Sequence, residues 1–205
     1  MIYLDRAASQ MGGAWAMAFD HEGWRDRLDL STEGVFGSFS AYLFAAPLMA
    51  LYTMTARRAL ERMPDHAESV YSAAPAAAIV IGDLIFFTVD WAVGLFLLII
   101  LSRSLGVDKN AAGLIAGFNW SQPITTAVQL PPVAIAAATA SPAAATLLGF
   151  PALALAVIIL WGIVRRGLTI AAGPAVAVIG MLIVASAVIR TFGEATLRAL
   201  FGVYS

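Results

Sequence analysis

The charged residues of this 205-residue chain avoid five long apolar stretches. Among 12 basic and 13 acidic residues, only Asp83 and Asp90 fall inside a stretch. A helix needs about 20 mostly apolar residues to cross the hydrocarbon of a bilayer, because each residue rises about 1.5 Å. The pattern predicts an all-α, polytopic transmembrane bundle of about five spans. The predicted spans are residues 35–56, 76–101, 111–138, 143–164 and 168–189, within a bundle that covers residues 35–190.

The composition fits a lipid environment and narrows the possible functions. Hydrophobic residues make up 60% of the chain, above the roughly 45–50% of globular proteins. A net charge of −1 without a basic cluster argues against nucleic-acid binding. The chain has no cysteine, and its two histidines, His21 and His66, lie far apart in the sequence. We therefore expect no metal, no cofactor and no catalytic residues.

Both ends of the chain have helical amphipathic patterns. In residues 1–34, apolar side chains such as Leu4, Met11 and Trp15 recur at helical spacing. We predict a helix that lies in the membrane interface; the alternative is a helix that packs on the protein's own loops. Residues 191–205 have a similar pattern and predict a second surface helix.

The two carboxyl groups within the second stretch are the clearest functional candidates. Asp83 and Asp90 are seven residues apart, so about two helical turns bring them to one face. Asp90 lies about 21 Å along a helix that begins at Ala76, near the bilayer centre. An aspartate there costs about 2.5–3.5 kcal/mol and usually faces other helices or a cavity. The alternatives for Asp90 are a neutral hydrogen-bonded clamp or a proton or cation site, whereas Asp83 could also be satisfied by interfacial water.

The third stretch contains the densest polar cluster of any predicted span. Spacings of three and seven residues allow its amide side chains to share one stripe, which could satisfy the two aspartates of the second span. Such an arrangement could hold spans two and three together or line a small polar pathway. The cluster consists of Asn119, Ser121, Gln122 and Gln129.

The same stretch contains three helix-breaking prolines, Pro123, Pro131 and Pro132. An interior proline removes one helical hydrogen bond and frees the carbonyl four residues earlier. In lipid, such a carbonyl needs a partner from the protein or from a wet cavity. We therefore predict a bent or broken segment between Asn119 and Pro132, packed against the second span, or a re-entrant segment that does not cross.

The basic residues give a weak orientation signal. With five crossings, seven of them lie on the side of the N-terminus and five on the other side, which favours a cytoplasmic N-terminus in an inner membrane. Arg25 and Arg166 would then be cytoplasmic and Arg62 would not. The first group is Arg6, Arg25, Arg27, Arg103, Lys109, Arg165 and Arg166, and the second is Arg57, Arg58, Arg62, Arg190 and Arg198.

A family resemblance is carried by residues 90–95 (DWAVGL), Leu105-Gly106 and residues 117–123 (GFNWSQP). Together with the layout of residues 35–190, these segments resemble bacterial membrane proteins of the Yip1 type. The resemblance implies a non-enzymatic integral membrane protein with a cytoplasmic N-terminus and homo- or hetero-associations. It supplies no catalytic residues, and the two intramembrane aspartates match no signature of that family.

Two functional hypotheses remain. The first is a scaffold or accessory subunit in the lipid bilayer, either a homo-oligomer or bound to other membrane proteins. The alternative is a small transporter or channel component with a proton or cation site at Asp90, Asn119 and Gln122. A membrane enzyme ranks third, because no nucleophile, base and metal-ligand constellation is present.

Overall fold

A computed structural model describes residues 2–63 and 69–201 as an all-α bundle. Residues 64–68 of the predicted polar connection, which include His66, and the last four residues of the predicted tail lie outside the described ranges. Short 3₁₀ turns, Ser38–Ala41 and Asp108–Asn110, precede two of the helices. The α-helices are α1 (Ile2–Ala18), α2 (Trp24–Arg27), α3 (Thr32–Gly37), α4 (Tyr42–Glu61), α5 (Val70–Ala73), α6 (Ala76–Ser104), α7 (Ala111–Thr139), α8 (Pro142–Leu168) and α9 (Ala172–Phe201).

Four helical segments in the described ranges are long and apolar enough to cross a membrane. They are Thr32–Glu61, which joins α3, the first 3₁₀ turn and α4, together with α6, α8 and α9. By length and hydropathy the described ranges thus contain four candidate spans, one fewer than the five predicted from the sequence. The remaining long helix, α7, has 29 residues but is not among these candidate spans. Its amide side chains and prolines lower its mean hydropathy. The chain is a multi-pass helical membrane protein.

The helix α7 lies at the centre of the bundle. It packs along α8 and α4, and its first half also contacts α1. Asn119, Leu114 and Ala116 are completely buried. The remaining long helices pair outside this centre, with α6 against α9 and α4. A polar helix is stable in this position because its neighbours separate it from lipid.

The interior prolines do not break α7, which is one continuous α-helix from Ala111 to Thr139. The prediction of a break between Asn119 and Pro132 is therefore wrong, and a re-entrant course of this segment stays a prediction. At about 1.5 Å per residue, α7 is about 43 Å long, the full thickness of a membrane. The predicted packing against the second span is formed at Asn119, which accepts from Trp91 of α6, but α7 packs more extensively along α8 and α4. Hydroxyl groups supply local hydrogen bonds near Pro123, where Thr126 donates to the carbonyl of Gln122 at 2.8 Å.

The first helix is inserted between α7 and α8. Its last turn is buried, and Met17 has no exposed surface. Three glycines make room for this turn. A β-carbon at Gly117 would stand 2.7 Å from the sulfur of Met17, one at Gly167 would stand 3.0 Å from its methyl group, and one at Gly162 would overlap the carbonyl group of Ala18. The last turn of α1 thus packs on the protein's own helices, whereas the N-terminal Tyr3 and Leu4 remain exposed.

Contacts at the two ends of α7 show that it runs the height of the bundle. At one end, the Asn110 amide donates to the carbonyl of Leu168 at 3.2 Å, at the end of α8. At the other end, the Arg62 guanidinium donates to the carbonyl of Ala137 at 2.7 Å. The helix α9 continues through Arg190 to Phe201. The described part of the predicted C-terminal surface helix is therefore the end of α9.

Candidate functional site

The first intramembrane carboxyl group joins three helices. Asp83 of α6 accepts a hydrogen bond from the Thr53 hydroxyl of α4 at 2.7 Å. It also accepts from the Tyr71 hydroxyl of α5, which lies 3.1 and 3.2 Å from the two carboxylate oxygens. Burial raises the pKa of the Tyr71 phenol, and the adjacent Asp83 raises it further, so Tyr71 remains a donor at neutral pH. This cluster fixes the start of α6 against α4 and α5.

The second carboxyl group joins α6 to α9. Asp90 accepts a hydrogen bond of 2.6 Å from the Ser186 hydroxyl. Arg190 lies one turn further along α9. Asp90 is half-buried, and Ser186 is its only hydrogen-bond donor in the described residues. A carboxylate offers about four acceptor positions, so Asp90 retains acceptor capacity at the middle of α6.

Asn119 of α7 forms two buried hydrogen bonds to other parts of the bundle. Its carbonyl oxygen accepts from the Trp91 indole at 2.7 Å, and its amide donates to the Ser38 hydroxyl at 2.8 Å. Asn119 and Ser38 have no exposed surface, and Trp91 is 6% exposed. The side chain therefore ties α7 to α6 and to the 3₁₀ turn before α4. Interhelical bonds of this kind act as clamps.

The other members of the predicted amide stripe do not join Asn119 in a common site. The Ser121 hydroxyl donates to the Phe118 carbonyl within α7. Gln122 and Gln129 are half-buried, and their side chains form no hydrogen bond within the described residues. The predicted pairing of this stripe with Asp83 and Asp90 is not formed. Asp83 and Asp90 bind hydroxyl groups of α4, α5 and α9 instead.

An apolar groove of about 520 Å³ lies between α6 and α9, beside the Asp90–Ser186 contact. Leu97, two turns after Asp90, forms one wall. The other wall consists mainly of small residues of α9, and a β-carbon at Gly180 would meet no atom within 4 Å. The α9 residues that line the groove are Ala177, Gly180, Met181, Val184 and Ala185. We call this groove, together with Asp90 and Ser186, the α6–α9 face.

A polar pocket lies where α1 and α8 end, and the sequence analysis did not predict it. There Arg166 of α8 donates to the Asp20 carboxylate at 2.8 Å and to the carbonyls of Met17 and Ala18. The hydrogen bond from Arg166 lowers the pKa of the Asp20 carboxyl group below its ordinary value. The two partners are 146 residues apart in the chain. Only the insertion of α1 beside α8 brings them together.

Comparison of the chain with protein-family models, curated proteins and solved structures gave no match. The resemblance to Yip1-type proteins therefore stays a prediction. Within the described ranges, no group of three or more acidic or histidine side chains is arranged to hold a metal ion. The chain is thus a multi-pass membrane protein in which Asp83, Asp90 and Asn119 each connect one helix to another.

Proposed function

We propose that this protein is a non-enzymatic membrane scaffold or accessory subunit. Its α6–α9 face would bind a membrane-spanning helix of another protein, one that carries a hydrogen-bond donor or a basic group at mid-depth. The observation that supports this proposal is the position of Asp90. It combines a location near the middle of a span with partial exposure and a single hydroxyl donor.

The free energy of an intramembrane carboxyl group favours a partner at this position. An aspartate at the centre of a span costs about 2.5–3.5 kcal/mol, and one hydroxyl hydrogen bond offsets only part of that cost. A donor from a second helix would use the remaining acceptor capacity of Asp90. The adjoining groove, with Ala177, Gly180 and Ala185, allows such a helix to approach closely, as small residues do at membrane helix interfaces.

Symmetry favours a different protein over a second copy as the partner. A twofold axis along the membrane normal places equivalent residues opposite each other at the same depth. A homodimer formed through the α6–α9 face would therefore bring Asp90 near Asp90 and Arg190 near Arg190. Like charges in such positions repel each other. A partner span with a complementary donor avoids this cost.

Site-specific photo-crosslinking in cell membranes tests the proposal. A photoreactive residue at Val184, which is exposed beside the groove, should give one discrete adduct, and the variant Gly180→Leu, which fills the groove, should abolish it. The matched control is the same photoreactive residue at Leu153, an exposed position on α8. No adduct at position 184, or equal adducts at both positions, would refute the proposal. An adduct of twice the chain's mass would replace the proposed partner with a second copy.

A flux measurement separates the scaffold from the transporter alternative. The alternative requires a site at Asp90, Asn119 and Gln122, yet the amide oxygen and nitrogen of Asn119 are bonded to Trp91 and Ser38 and not to Asp90 or Gln122. Purified protein in vesicles with a pH or cation reporter should therefore show no flux above empty vesicles. Robust flux that is lost in a well-folded Asp90→Asn variant would overturn the scaffold proposal, because an amide keeps the shape of the carboxyl group but cannot ionise.

A further inference from the structure

A cationic pocket of about 350 Å³ lies at the end of the bundle where α8 ends. Its volume falls within the roughly 300–1,000 Å³ of pockets that hold small ligands. Three arginines, one aspartate and one tryptophan provide its charged and aromatic lining: Arg25, Arg165, Arg166, Asp20 and Trp24. The lining residues come from two segments far apart in the chain, residues 20–25 and 165–170. The fold therefore builds a site that no single sequence segment contains.

One of the three guanidinium groups holds the pocket together. Arg166 is paired with Asp20 at 2.8 Å. It also donates to the carbonyls of Met17 and Ala18 at 2.9 and 2.7 Å, which fixes the end of α1. Because Asp20 balances only one positive charge, two of the three arginine charges that line the pocket remain uncompensated by its other lining residues.

The other two guanidinium groups are free to bind a ligand. Arg25 stacks on the Trp24 ring at 4.3 Å from its centroid. Trp24 is itself buried and contacts Gly113 at the start of α7. This stacking orients Arg25 without using its hydrogen-bond donors. Arg165 is exposed at the end of α8, and neither Arg25 nor Arg165 forms an ion pair within residues 2–63 and 69–201.

The position of the pocket matches the headgroup level of a membrane. The apolar run of α8 ends at Val164, immediately before Arg165. Tryptophan is enriched at this level because its ring is apolar and its N–H is polar. Arginine binds phosphate oxygens through two parallel N–H groups. We propose that this pocket binds a phosphate-bearing anion, and that the source of the phosphate is the headgroup of an acidic phospholipid.

Lipid titration with native mass spectrometry tests the site. The full chain, purified in a neutral detergent, is titrated with dioleoyl phosphatidylglycerol and, separately, with dioleoyl phosphatidylcholine. We expect one bound phosphatidylglycerol at concentrations where phosphatidylcholine is not retained. Arg25→Gln and Arg165→Gln should each weaken this binding about tenfold, the effect of removing one charge-assisted hydrogen bond.

Arg27→Gln is the matched control. Arg27 lies in the same polar segment as Arg25, is exposed and does not line the pocket. It should bind phosphatidylglycerol as the unchanged protein does. An equal loss of phosphatidylglycerol binding in all three variants would show that only the overall surface charge matters, and it would overturn the proposed site. The absence of any preference for phosphatidylglycerol over phosphatidylcholine would also overturn it. Thermal unfolding of each variant excludes misfolding as the cause.

A competition arm identifies the source of the phosphate. Millimolar glycerol 3-phosphate or inorganic phosphate is added to the protein–phosphatidylglycerol complex. If the acyl chains contribute to binding, the lipid stays bound, which supports the headgroup assignment. Displacement of the lipid at these concentrations would assign the pocket to a soluble phosphate compound and overturn the lipid as its source.

Discussion

Replacement of Asn119 by leucine measures how much the central clamp stabilises the bundle. Leucine has the same number of side-chain heavy atoms as asparagine and the same branching at Cγ, but it is bulkier and neither donates nor accepts a hydrogen bond. The variant loses the 2.7 Å bond from Trp91 and the 2.8 Å bond to Ser38. Because Asn119 is completely buried, water cannot replace either bond without a rearrangement of the core.

The two losses are unequal. Ser38 keeps its own donor bond of 2.6 Å to the carbonyl of Val35, so its hydroxyl hydrogen remains satisfied. The indole N–H of Trp91 has no other acceptor within the described residues, and a buried donor without a partner costs about 1–3 kcal/mol. Measured interhelical bonds in membranes average only about 0.6 kcal/mol. We therefore expect Asn119→Leu to lower the free energy of unfolding by about 1–3 kcal/mol, mainly through Trp91.

Unfolding in mixed micelles, with an increasing fraction of sodium dodecyl sulfate and circular dichroism as the readout, measures this change. Gln122→Leu is the control, because Gln122 lies one turn away on α7 and its side chain forms no hydrogen bond in the described structure. Trp91→Phe removes the donor, so the double variant with Asn119→Leu should cost less than the sum of the two single variants. Equal effects of Asn119→Leu and Gln122→Leu, or strict additivity in the double variant, would refute this reasoning.

Three further predictions concern packing, topology and pH. Gly162→Ala should release the end of α1 and expose it to proteolysis, because the new methyl group meets the α1 backbone, whereas Gly149→Ala, which meets no atom within 4 Å, should not. Single cysteines at positions 62 and 166 should be labelled from opposite sides of the membrane, and labelling from the same side would contradict the bundle. Hydrogen bonds from Ser31 lower the pKa of Asp29 below 3.8, so their stabilisation is complete above that pH and is lost as the pH falls through the lower value. An Asp29→Asn variant should therefore show a weaker loss of stability in micelles between pH 5 and pH 2.

The positions of the long helices could be predicted from the sequence, because the length of an apolar run can be read from consecutive residues. The predicted spans at 76–101 and 143–164 correspond to α6 and α8, each extended by a few residues. The predicted span at 168–189 corresponds to α9, which begins later, at Ala172, and continues to Phe201. A local signal also marks the start of α3, where the Ser31 hydroxyl accepts from the Gly34 amide at 3.0 Å, as serine commonly does at helix N-caps. The prolines of α7 led to the wrong prediction of a break. Their propensity to break a helix is outweighed by the packing of α7 on several neighbours.

The pairing of polar groups could not be predicted, because it depends on which helices become neighbours. The amide stripe and the aspartate face were assigned to each other since they lie on consecutive spans. In the structure α7 packs mainly on α8 and α4, and α6 pairs with α9. Asp90 therefore meets Ser186, which is 96 residues away, and Asn119 meets Ser38, which is 81 residues away. Hydropathy records the depth of a residue in the membrane but not the helix it faces.

Asn119 and Asp90 differ in how their hydrogen-bonding groups are used, and this difference separates a structural residue from one that could bind a partner. Around α7, Asn119 uses its amide oxygen for one helix and its amide nitrogen for another segment. On α6, Asp90 has one donor from α9 and stands beside an apolar groove with low walls. Lipid can fill such a groove but cannot donate a hydrogen bond to the carboxyl group. The proposed partner helix would meet both features of this surface at once, so the α6–α9 face is the surface on which the search for a partner should begin.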